Sequence, residues 1–377
     1  MLRSAAMKPT LKARGTLRDV AHLVGVSHTT VSNAFSRPDQ LSHELREKIL
    51  AAARSVNYPG PNPAARMLMS GFANTIALVY ADPLYHAFED PATSAFVGGV
   101  AEACDQRGLG LLLLQGGGAS LRTIQSAAVD GLIIYSMSKE GETIRTIADR
   151  GLPMVVVDQP LIPNVPFVGI DDRAAARACA QHLKDLGHQN FAIVTFQLGS
   201  DGHCGLIDRK RLKSISFEIP RRRIEGYLEV LDASGPGLSV IVWECSRSNE
   251  ESGRTAAEGI FKSTPRPTAI LATSDRLAIG VIEAARCNQL RVPQDLAVIG
   301  FDDIPAANLI TPRLTTVHQP MAEKGRLAVA SLLKEKGALR MKVPTKLIVR
   351  QSTDPAILGQ AQETEINQRN SCIIQRK

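Results

Sequence analysis

The sequence is poor in the features that would signal metal, disulfide or membrane chemistry. Its six cysteines, Cys104, Cys179, Cys204, Cys245, Cys287 and Cys372, are scattered along 377 residues without a C-x-x-C pair. That argues against a structural zinc site and a disulfide framework, and free thiols in a reducing cytoplasm are expected. Apolar runs are short, as in LGLLLL (109–114), far below the roughly 20 residues of a membrane-spanning helix. The N-terminus carries basic residues with no apolar stretch behind them, so no secretory signal is expected. Met1 and Met7 are both candidate starts. Also missing are a G-x-S-x-G elbow, a G-K-[ST] phosphate loop and an H-E-x-x-H helix. The eight histidines show no ligand spacing, so neither metal nor cofactor is expected. The glycine run GGGAS (116–120) is read as a loop.

What the sequence does have is a localised positive charge. The net charge is +7. Residues 1–71 hold ten Lys/Arg against four acids, so nearly all the excess lies in one fifth of the chain. A polyanionic partner follows, with a solvated basic tail (residues 1–15, expected to be disordered) as the competing explanation. Within this basic stretch TTVSNAF (29–35) is uncharged. Three short helices are expected around it. Thr16 caps the first, with Asp19 three residues on, and Gly25 stops it. Ser27 caps the second. Ser42 caps the third, with Leu45, Ile49, Leu50 and Ala53 inward. Helix, glycine turn, helix is a helix-turn-helix arrangement over 16–58. A helix entering the major groove must be slim and present hydrogen-bonding groups near its N-terminus. Ser27, His28, Thr29, Ser32, Asn33 and Arg37 are the candidate DNA contacts, with Val31, Ala34 and Phe35 turned inward.

A proline-rich linker (59–73) follows, with a short helix beginning near Asn62 and Pro63. From residue 74 apolar strands (TIALVY, LGLLLL, GLIIYS, MVVVD) alternate with helical stretches, and a second series starts at FAIVTF (191–196). The alternation predicts an α/β architecture of two doubly wound lobes, with a ligand crevice at the carboxyl ends of the strands. This unit is expected to run to 353, with a disordered tail over 354–377.

The stretch TLRDVAHLVGVSHTTVSNAFSRPDQLSHELREKILAAARSVNYPGPNPAARML resembles the headpiece and hinge of the LacI/GalR (lactose repressor) family. The likeness continues through LGHQNFAIV, RIEGY, ILATSDRLAIGVIEAA, LAVIGFDDIPAANLITPRLTTVHQP and LIVRQST, covering Thr16 to Thr353. The resemblance implies a homodimeric regulator, usually a repressor, bound to double-stranded operator DNA. It also implies a type I periplasmic-binding-protein-like effector domain. His28, Thr29 and Asn33 match its base-reading positions, and Leu68 its minor-groove wedge. Met69 stands where a basic residue is common. Arg223 (R-I-E-G-Y) and Asp302 (G-F-D-D) match the residues that hold the effector, and Ser274 another polar cleft position, with Asp275 expected to cap the following helix. The aromatic side chains that stack on sugars and purines in such proteins are replaced by Ser248–Asn249 and by Ala92–Thr93. Tyr85, Phe88 and Asp90 of an inserted loop are the candidate substitutes, and the segment 197–222 is long. These departures keep the family's preference for sugars from being carried over, so a sugar-like small molecule is one candidate and the identity of the effector stays open. Two alternatives remain. A binding protein of periplasmic type would leave the headpiece unexplained, and an α/β enzyme would need catalytic groups that the motifs do not supply.

Overall fold

The computed structural model describes residues 15–61, 67, 70–117, 120–138, 141–232, 237–334 and 339–354. The chain divides into two compact units, Met1–Ala73 and Asn74–Lys377.

The first unit is built on α1 (Leu17–Val24), α2 (His28–Ser36) and α3 (His43–Ser55). Each begins where a short hydroxyl side chain takes over an orphan N–H. Ser27 accepts from Thr30 N–H at 3.0 Å and Ser42 from Leu45 N–H at 3.3 Å. Thr16 and Asp19 form a reciprocal capping box. Gly25 ends α1 at φ +76°, its N–H bonded to Ala21 O at 2.9 Å. That left-handed conformation turns α2 across α1. The core is made of small side chains, Val20, Ala21, Val31, Ala34, Ile49 and Ala53, so the helices approach closely. Phe35 and Tyr58 close it edge to face at 5.7 Å. Leu50, expected inward, is only half-buried and lies outside this cluster. The inward stripe of α3 runs through Leu45, Ile49, Ala52, Ala53 and Val56, and Leu50 sits one helical step (about 100°) off it. Met67 and Ser70 are helical, and Gly71 N–H bonds Met67 O at 2.8 Å. Residues 62–66, 68 and 69 lie outside the described residues, and with them the expected hinge helix, Leu68 and Met69.

The second unit runs β1 (Thr75–Tyr80), α4 (His86–Glu89), α5 (Pro91–Asp105), β2 (Gly110–Gln115), α6 (Leu121–Ser126), β3 (Gly131–Tyr135), α7 (Glu142–Ala148), β4 (Met154–Val157) and β5 (Phe167–Gly169). It continues α8 (Asp172–Asp185), β6 (Asn190–Thr195), β7 (Gly205–Leu206), α9 (Arg209–Lys213), α10 (Glu218–Asp232), β8 (Ser239–Glu244), α11 (Glu250–Ile260), β9 (Ala269–Ala272), α12 (Asp275–Cys287) and β10 (Ala297–Ile299). It closes with β11 (Thr316–His318), α13 (Met321–Leu332), β12 (Arg340–Lys342) and β13 (Lys346–Ile348). The first lobe is a parallel sheet ordered β12-β5-β4-β3-β1-β2, and the second is β10-β9-β6-β8 with β7 antiparallel at its edge. TIALVY and FAIVTF form the first strand of each lobe, each paired on both sides, and their near-continuous apolar character reflects burial on both faces.

The chain crosses between lobes after β5, between β11 and α13, and between β12 and β13. Isolated bridges Ile299–Thr315 and Asp302–His318 hold β11 beside the second sheet. Glycines set the helix packing. A Cβ at Gly253 or Gly280 would collide with the Leu277 or Glu250 carbonyl across the α11–α12 contact, so backbone meets backbone there.

Candidate functional site

In the first unit, α2 presents a polar outer face. His28 and Thr29 are exposed and Ser32 and Asn33 half-exposed. With Ser36 these positions repeat as i, i+1, i+4, i+5, i+8, which is one side of a helix. Val31 and Ala34 are fully buried on the other side, as expected. Ser27 is exposed but its hydroxyl is engaged as the cap and with Thr30 Oγ1 at 2.8 Å. Asn33 Nδ2 donates to Gln40 Oε1 at 3.3 Å, which orients its amide. Exposed Arg37 follows the helix and sends its N–H to Asn33 O at 2.8 Å. The outward face of α2 carries no formal charge, so any contact it makes with base edges is through neutral donors and acceptors.

In the second unit a cavity of about 320 Å³ lies between the lobes at the carboxyl ends of the strands. Its first-lobe side is formed by Tyr80, which ends β1, Tyr135, which ends β3, and Asp90 and Thr93 at the start of α5. Asp158 follows β4. Its second-lobe side is formed by Phe196, Arg223, Ser248, Ser274 and Asp302, and Gln319 joins from the β11–α13 crossing.

Arg223 is held from several directions. Nε donates to Asp172 at 2.8 Å, Nη1 donates to Thr273 O at 2.6 Å, and Asp302 Oδ1 lies 3.7 Å away. Burial opposes its charge, but Asp172 and Asp302 outweigh burial and raise its pKa above the usual value. Burial, reinforced by Asp275 and Asp90 against the pull of Arg223, pushes the Asp302 carboxyl well up. Lys324 is completely buried and bonds both oxygens of Asp158, at 2.8 and 2.7 Å, and Gln319 Oε1 at 3.0 Å. The Gln319 amide in turn donates to Asp302. A continuous polar chain therefore runs from Asp158 in the first lobe through the crossing to Asp302 and Arg223 in the second.

The lobes also touch at the mouth. Gln159 Oε1 accepts from the Glu218 and Ile219 N–H groups at 2.9 and 3.0 Å, covering the N-terminus of α10. Arg247 reaches His86 across the opening.

Of the expected effector residues, Arg223, Ser274, Asp302 and Asp90 converge on the cavity. Tyr85 and Phe88 do not: they are 56% and 62% exposed and point to solvent. Residues 85 and 88 share the outer face of α4, whereas His86 and Glu89 on its other side line the cavity. Asp90 is committed to capping, accepting from the Ala92 and Thr93 N–H groups at 3.3 and 3.2 Å. The expectation that Asp275 caps α12 is also corrected. Ser274 is the cap, accepting from Leu277 N–H at 3.3 Å and bonded to Ser248 Oγ at 2.8 Å. Asp275 turns into the core, where it accepts from Thr316 Oγ1 and, at 2.8 Å, from Ile304 N–H. Ser248 and Asn249 both line the cavity, and Asn249 caps α11 through Ser252 N–H at 2.9 Å. The long segment 197–222 is pinned by Arg211, which bridges buried Glu244 and Asp201. Sequence reasoning missed Tyr80, Tyr135 and Gln159. The signal was available for the tyrosines, which close two central parallel strands at their carboxyl ends.

A three-helix unit with an uncharged outward helix, ahead of a two-lobed α/β unit with an interlobe cavity, is the build of a helix-turn-helix transcriptional regulator. Residues 16–62 match the family of bacterial regulatory proteins of lacI type, and residues 180–353 match a periplasmic binding protein-like domain. An HTH-type transcriptional regulator of Mycobacterium tuberculosis is 42% identical over 335 residues, 87% of this chain and 93% of that protein. The ribose operon repressor of Escherichia coli is 32% identical over 84% of this chain and 92% of its own length. The solved complex of the transcriptional regulator CelR with cellobiose matches with a TM-score of 0.62 at 27% identity, over 90% of this chain and 100% of that one. The chain belongs to the LacI family and is a DNA-binding transcriptional regulator. Among the described residues no helix is long and apolar enough to cross a membrane.

Proposed function

We propose that the protein is a homodimeric repressor, working in the cytoplasm on a pseudo-palindromic operator and controlled by a small polyhydroxylated effector in the interlobe cavity. The single observation that carries the DNA side is the sidedness of α2: Val31 and Ala34 fully buried, His28 and Thr29 exposed, and no charge on the outward face. His28, Thr29, Ser32 and Asn33 contact base edges, with Asn33 suited to bidentate pairing with adenine, while Ser27 and Arg37 hold phosphates. Leu68 acts in the minor groove. A twofold dimer presents two such helices to two half-sites.

The effector reading rests on how charge is balanced in the cavity. Arg223 is matched by Asp172, Arg276 by Glu250 and Lys324 by Asp158, and among the lining side chains five acids (Asp82, Glu89, Asp90, Asp158 and Asp302) stand against three arginines (Arg223, Arg247 and Arg276). An excess of carboxyls alongside hydroxyls and amides favours a neutral molecule rich in hydroxyl groups over a phosphorylated one. The names of the ribose operon repressor and of the CelR–cellobiose complex agree with that class. Arg223, Asp302, Ser274 and Asp90 hold it, together with Tyr80 and Tyr135. Its binding shifts the lobes relative to one another. Footprinting on the regulator's own promoter region tests the reading: a symmetric protected site that a neutral sugar weakens supports it, and insensitivity to neutral sugars combined with release by a sugar phosphate overturns the effector class.

A further inference from the structure

Beyond this regulatory reading, one thiol pair stands out. β7 and β8 are antiparallel, with Gly205 opposite Glu244 and Leu206 opposite Trp243. The paired strand ends at Gly205, and continuing its register by one residue brings Cys204 toward Cys245, near enough for Cys204 to act on the Cys245 thiol. Ile207 N–H bonds Val242 O at 3.0 Å, so 207/242 and 205/244 are the hydrogen-bonded rungs. The alternate positions, 206/243 and by continuation 204/245, are the non-bonded ones, where facing side chains come closest. Cα separations there, typically about 4.5 Å, fall within the range that a disulfide spans. Both cysteines are free thiols in the structure.

The two differ in access. Cys204 is exposed, whereas Cys245 is fully buried, with Sγ toward Ser252 O at 3.5 Å. Burial first, and then the neighbouring Cys204, pushes the Cys245 thiol far up, so Cys245 is not the thiol that an oxidant meets first. The edge strand β7 is two residues long, and Gly205 beside Cys204 sits at φ +139°. A short glycine-hinged edge can shift to complete a bond at little cost.

We propose that Cys204 and Cys245 form a hydroperoxide-sensitive dithiol site. The Cys204 thiolate attacks one peroxide oxygen, the O–O bond breaks and hydroxide leaves, giving the sulfenic acid. The Cys245 sulfur then attacks the Cys204 sulfur, the S–O bond breaks and water leaves with the Cys245 proton. Overall two thiols and one hydrogen peroxide give one disulfide and two waters. The location links the site to the cavity. Cys245 leads directly into Ser246–Asn249, which line the cavity, and Arg247 of that stretch meets His86 of the other lobe. A Cys204–Cys245 bond ties the long segment 197–222 to this loop.

The test uses the full-length protein treated with stoichiometric hydrogen peroxide and then digested with trypsin after the free thiols are blocked. Cys204 and Cys245 fall in separate peptides, 185–209 and 224–247. The expected product joins these two peptides with the loss of two hydrogens and disappears with dithiothreitol. Trp243, the sole tryptophan, lies two residues from Cys245, and its fluorescence is expected to fall on oxidation and recover on reduction. Cys204→Ser, a change at an exposed position, abolishes both signals, while Cys287→Ser leaves them intact. The proposal is overturned if Cys204 accumulates as sulfinic acid, if it links instead to Cys287 or to a second chain, or if both thiols survive the oxidant.

Discussion

Arg223 lies over the ring of Phe301 with its guanidinium carbon 3.6 Å from the ring centroid. The ring supports the flat side of the cation while Asp172 and the Thr273 carbonyl take its edge donors. The guanidinium is thus fixed in position before any ligand arrives.

Arg223→Met therefore leaves Asp172 buried without its partner, and the loss of stability is expected to be about 3–5 kcal/mol. Arg223→Lys keeps the charge but loses the fork and the flat contact, and falls in between. Denaturant unfolding of the three proteins orders them. A methionine variant as stable as the parent would contradict the assignment.

Asp275 gives a pH signature. Its carboxyl is pushed up to about 7, by burial in the first place, against 3.8 in an unfolded chain. The folded state then holds its proton more tightly than the unfolded state does. Its contribution to stability is greatest below the unfolded value, declines as the pH rises from about 4 to 7, and is level above that. Asp275→Asn removes this slope. Melting curves of parent and variant across that window should converge toward low pH and separate toward neutral pH, with the variant the more stable at pH 7.

Gly280 tests the helix packing of the second lobe. A methyl at this position meets the Glu250 carbonyl, and neither backbone can move without parting α11 from α12. Gly280→Ala is expected to cost about 1–3 kcal/mol, while Gly98→Ala, at a glycine with open space around it, is expected to be neutral or mildly stabilising. Thermal unfolding of the two variants separates close approach from a general effect of losing glycine.

The cavity boundary is tested on α4. Glu89→Ala and His86→Ala are expected to alter the affinity for an effector found by screening, while Tyr85→Ala and Phe88→Ala leave it unchanged. Titration of each variant with the same compound checks this, and an effect confined to the two aromatic residues would reverse the placement.

How far the sequence led differs between the two units. Caps and stops were legible one by one: Thr16, Gly25, Ser27 and Ser42 act through neighbours three or four positions away, so local pattern suffices. The strands were legible for the same reason, since TIALVY and FAIVTF carry the apolar runs of buried parallel sheet. The cavity was only partly legible, because its side chains come from separate strands and their direction depends on tertiary packing. Arg223 and Asp302 were located through the family motifs. Tyr85 and Phe88 were chosen by residue type, yet one helical step decides whether α4 shows an aromatic or a polar side to the cavity. The cap fell to Ser274 and not to Asp275 because the buried partners of Asp275, Thr316 and Ile304, are about 30 to 40 residues away in sequence, beyond any local pattern.

The most direct test of the central claim is selection from randomised double-stranded DNA with the intact protein, repeated with Asn33→Ala and at two salt concentrations. The account predicts enrichment of a twofold-symmetric sequence, with the preference at one base pair of each half-site relaxed in the variant. Each lost contact should cost about 1–3 kcal/mol at that base pair, with the salt dependence nearly unchanged because Asn33 neutralises no phosphate. Failure to enrich any sequence, or a variant that selects the same site with undiminished discrimination, would contradict it.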